Sequence, residues 1–172
     1  RLPVRDALQI LEKKELAVNQ PRRGMIVRPI EAKEVRELFE LRLVLEGYAF
    51  SISAPLLAES DLERAERLVG QQEANDDFVQ LMGIDEQFHL LLLTRFDNSE
   101  AMKHIGQVWR RIKVMRSFAR DVRDWKAHSV ESHRQILSML RGKKFKEAQQ
   151  CLESGIRRGR DEILEQVAVL NR

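Results

Sequence analysis

From Pro29 onward the chain carries one dominant period, the three-to-four-residue spacing that places apolar side chains on one face of an α-helix. Val35, Leu38, Leu41, Leu45 and Ala49 mark a helix over Glu31–Ser53, which Pro55 stops. Ser60-Asp61-Leu62-Glu63 reads as a capping box opening a second helix that runs towards Asn75. Phe78, Leu81, Met82, Phe88, Leu91 and Leu92 define a strongly apolar helix over Asp76–Phe96. It should end near Asp97-Asn98, where a residue tolerant of left-handed backbone fits. Ser99 to about Arg120, Trp125–Leu140 (closed by Gly142) and Phe145–Val169 bring the helices to six. Connections this short call for antiparallel neighbours, so an all-α antiparallel bundle is expected, without the internal repeat of a solenoid.

The first residues obey a different rule. A helix starting near Pro3 places Val4, Ala7, Leu8 and Leu11 on a stripe expected to be buried, with Arg1, Arg5, Gln9 and Glu12 on another side. Leu16–Asn19 and Met25–Arg28 then read as short strands around Gln20-Pro21-Arg22-Arg23-Gly24, a turn of breakers and cations. The expected division is residues 1–29 and 30–172. Charge follows the same division. The net +3 of the chain comes from its first 30 residues, where seven basic side chains face three acidic ones, while the rest is net −1. A short helix with a basic-tipped hairpin suits double-stranded DNA, the helix in a major groove and the hairpin tip on the neighbouring backbone. A solvated basic end satisfies the same charge count.

Composition excludes other classes. Apolar residues at 43% and charged residues at 33% belong to a soluble globular chain with a real core. No apolar run reaches the roughly 18 residues of a membrane span, and the lone Cys151 cannot form an internal disulfide, so a cytoplasmic protein without a membrane partner is expected. A di-iron bundle needs two Glu-x-x-His motifs, and the sequence does not carry two, since Glu131-Ser132-His133 misses the spacing. No nucleophile has a placed base, so hydrolase chemistry has no basis and an enzyme is not expected. The alternatives kept open are a metal-dependent helical-bundle enzyme and a pure dimerisation or ligand-binding module, which leaves the basic end without a role.

Asp85 and His89 are four residues apart and share one helix face, where they can supply two positions of a zinc, nickel or manganese shell. A surface ion contact meets the same spacing. Trp109 and Trp125 read as core or dimer-interface residues, and Cys151 as a small packed hydrophobe. Arg157-Arg158-Gly159-Arg160 reads as a solvated face, His104 as a surface histidine, and His128 as pointing away from His133.

The opening Arg1-Leu2-Pro3-Val4-Arg5-Asp6-Ala7-Leu8-Gln9-Ile10-Leu11-Glu12 resembles the recognition helix of the GntR family of bacterial regulators. Pro21-Arg22-Arg23-Gly24-Met25-Ile26-Val27 is similar to that family's wing. Glu46-Gly47, Asp85-Glu86-Gln87-Phe88-His89 and Ser132-His133-Arg134-Gln135-Ile136-Leu137 resemble landmarks of its FadR-type subgroup, which carries an FCD effector domain. The resemblance implies a partial winged helix followed by a helical effector domain. DNA contacts would come from Arg1, Arg5 and Gln9 and, on the wing, Arg22, Arg23 and Gly24. It further implies a homodimer reading a palindromic operator, and a small carboxylate or sugar-acid effector that controls a repressor.

For the pocket, the resemblance implies Asp85, His89 and His133 as ligands of a divalent metal, joined in many relatives by a histidine from the last helix. The matching position here is Gly155, so three ligands are expected, with an enlarged cavity. Two further departures stand out. The family places two helices ahead of its recognition helix, and this sequence starts inside the motif, so the winged helix is expected to be incomplete and DNA binding by this chain alone poor. Leu2 stands where a hydroxyl residue is usual, at the expense of a helix cap.

Overall fold

The computed structural model describes residues 2–13, 16–117 and 122–170, and the chain divides into two compact units, Arg1–Glu31 and Ala32–Arg172. The mainly helical architecture with one small hairpin is the one its periodicities dictate.

In the first unit, helix α1 (Leu2–Lys13) is followed by strands β1 (Ala17–Gln20) and β2 (Gly24–Val27). The strands pair antiparallel from Ala17↔Val27 to Gln20↔Gly24. The turn closes with the Arg23 N–H donating to the Gln20 carbonyl at 3.1 Å. Gly24 takes φ 78° without steric cost, whereas Arg22 adopts φ 69°, which costs a residue with a Cβ roughly 1–2 kcal/mol. The expected apolar stripe on α1 is not buried: Val4 is 65% and Leu11 39% exposed, and only Leu8 is half-buried. Twelve helical residues and a two-stranded ribbon have too little surface to cover one another, and Ala17 is the buried apolar side chain among the described residues of this unit.

The second unit holds α2 (Ala32–Ser53), α3 (Glu59–Ala74), α4 (Phe78–Leu92), α5 (Ser99–Arg116), α6 (Val122–Arg141) and α7 (Phe145–Leu170), with a 3₁₀ turn over Ala54–Leu56. Helix α7 packs on α2 and α6, α3 packs on α4 and α6, and α5 packs on α2. Local chemistry sets the helix starts. Asp77 and Asn98 cap α4 and α5 by accepting from the N–H groups of Gln80 (2.8 Å) and Ala101 (3.0 Å). Helix α3 begins before the expected Ser60 box: Asp61 Oδ2 reaches back 3.0 Å to the Ala58 N–H, which places Ser60 inside the first turn.

Two expected helix ends differ in detail. Asn98 is extended at φ −143°, because it serves the start of α5 and not the end of α4. After α6 it is Lys143, not Gly142, that takes the left-handed conformation, with φ 57°. The Lys143 and Lys144 N–H groups then close the helix on the carbonyls of Leu140 and Met139.

The buried face of α2 also departs from expectation. Leu41 is 47% exposed, and the inward register runs through Val35, Leu38, Phe39, Arg42, Glu46, Ala49 and Phe50. Two charged residues sit in the middle of a core stripe, a costly placement unless each is paired.

Candidate metal and effector site

Helices α4 and α6 deliver the three expected ligands to one point. Asp85, His89 and His133 are all buried, and their candidate ligand atoms lie within 4.8 Å of one another. Asp85 Oδ1 is 3.5 Å from His133 Nε2. Asp85 and His89 share the inward face of α4 with Leu81, Met82, Phe88 and Leu92, and the Phe88 ring stacks on the His133 imidazole at 3.7 Å.

A surrounding shell fixes their orientation. His133 Nδ1 lies 3.0 Å from Gln72 Oε1, an atom that can only accept, so Nδ1 carries the proton and Nε2 turns its lone pair towards Asp85. The Gln72 amide nitrogen donates to Ser129 Oγ at 3.0 Å, and Ser129 Oγ donates to Asp85 Oδ1 at 2.8 Å. Burial pushes the His133 pKa down to about 3, leaving a neutral imidazole with a free lone pair at neutral pH.

His89 Nδ1 sits 3.1 Å from Glu46 Oε2, within ion-pair distance but off hydrogen-bond alignment, so Nε2 is the ring nitrogen left for a ligand. Glu46 in turn accepts from Arg42 Nε at 2.7 Å, and the Arg42 guanidinium lies 3.9 Å above the Trp109 ring. Burial raises the Glu46 pKa, but Arg42 and His89 outweigh it and hold it below its usual value. For Asp85, burial is likewise outweighed, here by His89, His133, Arg116 and Arg42, so the carboxylate is ionised. One carboxylate and two imidazole nitrogens, with Asp85 and His133 each hydrogen-bonded to an outer partner, fit a divalent transition metal.

Beside the cluster lies a cavity of about 40 Å³, its wall including Arg42, Arg116, Trp125, Gly155, Gly159 and Glu162. Gly155 borders the cavity, where its nearest neighbour is Ser132. A Cβ there would come 3.1 Å from Ser132 Oγ, so a side chain at this position needs the serine to shift by a few tenths of an ångström. Trp125 is buried in the core with Leu81 and Met82, as expected, and also forms part of the wall, and so does Gly159 of the basic run expected to be solvated. His128 also borders the cavity but is exposed and pairs with Glu162 Oε1 at 3.3 Å. His104 is exposed, 3.2 Å from Gln107 Oε1.

Sequence reasoning missed Arg42, Gln72, Ser129 and Arg116. The signal was available as register: Gln72 continues the Leu62, Ala65, Val69 stripe, Arg116 continues Trp109 and Ile112, and Ser129 lies one turn before His133. A polar residue at a core position asks for a partner.

In the first unit, Arg5 and Gln9 are exposed on α1, and Arg22, Arg23 and Gly24 are exposed at the hairpin tip. Arg1 and the Leu2 side chain lie outside the described residues. No helix among the described residues is long and apolar enough to cross a membrane.

The FCD domain profile matches residues 37–158. The Nta operon transcriptional regulator of Aminobacter aminovorans is 27% identical over 169 residues, covering 96% of this chain and 78% of that protein. The gluconate operon transcriptional repressor of Bacillus subtilis (strain 168) is 28% identical over 122 residues, covering 69% of this chain and 48% of that protein. Among solved structures, a GntR family member from Pseudomonas syringae pv. tomato str. DC3000 has a similar fold. Its TM-score is 0.69 at 24% identity, over 98% of this chain and 72% of that one.

Proposed function

The chain belongs to the FCD domain family, and from that membership we propose that it acts as a ligand-responsive transcriptional regulator of the GntR type, not as an enzyme. The observation that carries this reading is the buried Asp85, His89 and His133 cluster opening on a cavity inside the matched segment. These three residues would hold a divalent ion, which when bound supplies an electrophilic centre for a ligand's oxygens. Arg116, with Arg42 nearby, places a guanidinium on the cavity wall, which suits a small organic acid.

The remaining parts follow from linkage. Arg5 and Gln9 on α1, with Arg22 and Arg23 on the hairpin, form the DNA-facing set, and Arg1 joins them on the strength of the resemblance. A second copy of the chain covers the exposed apolar stripe Leu41, Val44, Tyr48 and Ile52 on α2, which pairs two DNA-facing units on a palindromic operator. The acid shifts DNA binding only to the extent that it binds one arrangement of this dimer better than the other. Repression is the direction favoured by the name of the gluconate operon relative.

The test is selection of genomic DNA fragments by a version of the protein carrying a complete winged helix, followed by titration with a panel of small organic acids. Specific binding that falls steeply with salt, weakens on Arg5→Ala and changes with one acid supports the reading. Failure to select any fragment, together with no response to any acid, overturns it.

A further inference from the structure

The cavity holds a cation that the three-residue cluster does not employ. Arg116, the last residue of α5, is 6% exposed, and its guanidinium lies against the Trp125 ring, 4.8 Å from the centroid. Its Nε has no hydrogen-bond partner, and among the described residues the guanidinium forms no ion pair with a carboxylate. A guanidinium does not lose its proton in proteins, so the charge is buried with the group. Burial opposes that charge most and Arg42 adds to the opposition, while Asp85 and Glu162 favour it through space without forming an ion pair with it. A buried, unpaired arginine is among the least favourable things a fold can keep.

The fold nevertheless makes room for it. A Cβ on Gly159 would sit 2.4 Å from Arg116 Nη2, so the notch in α7 that receives the guanidinium exists because residue 159 is glycine. A buried atom on the same wall is also unsatisfied: Oε2 of half-buried Glu162, whose Oε1 faces His128, has no hydrogen-bond partner. One group lacks an acceptor and the other lacks a donor, and both border a cavity of about 40 Å³. That volume admits roughly three or four water-sized groups, the size of a carboxylate with its α-carbon.

We propose that Arg116, seated in the notch at Gly159, is the anion-binding residue of this cavity, and that its ligand is a small carboxylate whose α-substituent donates a hydrogen bond to Glu162. The planar fork of a guanidinium matches the two oxygens of a carboxylate, and a hydroxyl or ammonium next to that carboxylate supplies what Glu162 lacks. A longer acid can extend towards the mouth, but its recognised end is this one. The proposal rests on the reading of the cavity as the effector site.

The test is calorimetric and thermal-shift titration of the protein with glycolate and glycine, the smallest such acids, against acetate (no donor) and glycolamide (no charge). Glycolate or glycine should bind and raise Tm, acetate should bind more weakly, and glycolamide should have no effect. Arg116→Met should weaken binding of the acid at least about tenfold while raising the Tm of the ligand-free protein. Gly159→Ala, which asks only the flexible end of Arg116 to move, should weaken binding by a similar factor without lowering Tm. Glu162→Gln should narrow the preference over acetate.

If both the Arg116 and Gly159 variants bind like wild type while His133→Ala abolishes binding, the cavity reading stands and the role of Arg116 is overturned. If none of the three variants changes binding, the acid sits elsewhere and both readings fail. No response of the wild-type protein to either acid also overturns the proposal.

Discussion

Gln72 on α3 and His133 on α6 meet through a 3.0 Å hydrogen bond that decides which imidazole nitrogen turns towards Asp85. Gln72→Leu keeps the shape and removes the acceptor, so the ring loses its reason to hold that tautomer. Metal affinity, read by competition with a chelating dye, should fall about 10- to 100-fold, with the helical circular dichroism spectrum unchanged. Unchanged affinity would mean that ring packing on Phe88 alone sets the orientation.

Asp61 makes a separate acid-sensitive latch. The Ala58 backbone N–H, then Arg95 through Nη2 at 2.7 Å and Nε at 3.0 Å, hold its carboxyl below the ordinary aspartate value. The unfolded chain takes up this proton more readily than the folded one. The stabilisation is therefore complete above the ordinary value of 3.8 and is lost as pH falls below it. Asp61→Asn should cost about 1–2 kcal/mol at neutral pH and flatten the loss of stability below pH 4, roughly, in urea melts run across that range.

The stripe Leu41, Val44, Tyr48 and Ile52 spans about three turns of α2, with exposures of 47, 68, 62 and 38%. A contiguous apolar face of this kind in water marks an interface, and a second copy of the chain is its proposed occupant. Val44→Glu places a charge in its middle and should convert a dimer into a monomer, seen by light scattering, with Tm shifted only through lost association. A wild-type protein that is monomeric at tens of micromolar, roughly the range where a standard interface is populated, would remove this assignment.

Periodicity made the six helices legible, because each needs only its own stripe and punctuation. The site was legible in part. Asp85 and His89 advertise themselves by spacing on one helix, but bringing His133 to them required a resemblance, since nothing in the periods of α4 and α6 says which faces meet. Arg116 and Gly159 were illegible as a pair: 43 residues separate them, and the relation is a missing Cβ on one helix making room for a guanidinium from another. The stripe on α1 shows the opposite error. A 3.6-residue period reports that a helix has an apolar side, and not whether anything covers it.

Gly155 allows the metal reading to be tested by gain instead of loss. It lies on α7 against Ser132, and a Cβ there meets Ser132 Oγ at 3.1 Å, so a side chain enters only if the serine gives way. Gly155→His combined with Ser132→Ala removes that obstacle and offers a third imidazole, from α7. If Asp85, His89 and His133 hold an ion, a fourth ligand should raise affinity on the order of tenfold or more and slow metal loss to chelator. The same substitution closes the coordination position that a small acid would use, so glycolate binding should weaken as metal binding tightens. Elemental analysis of the wild-type, Asp85→Ala and doubly substituted proteins separates the cases. Metal in the first, none in the second and more tightly held metal in the third is the expected order. No metal in any of them would leave Arg116 as the cavity's sole anchor for an anion.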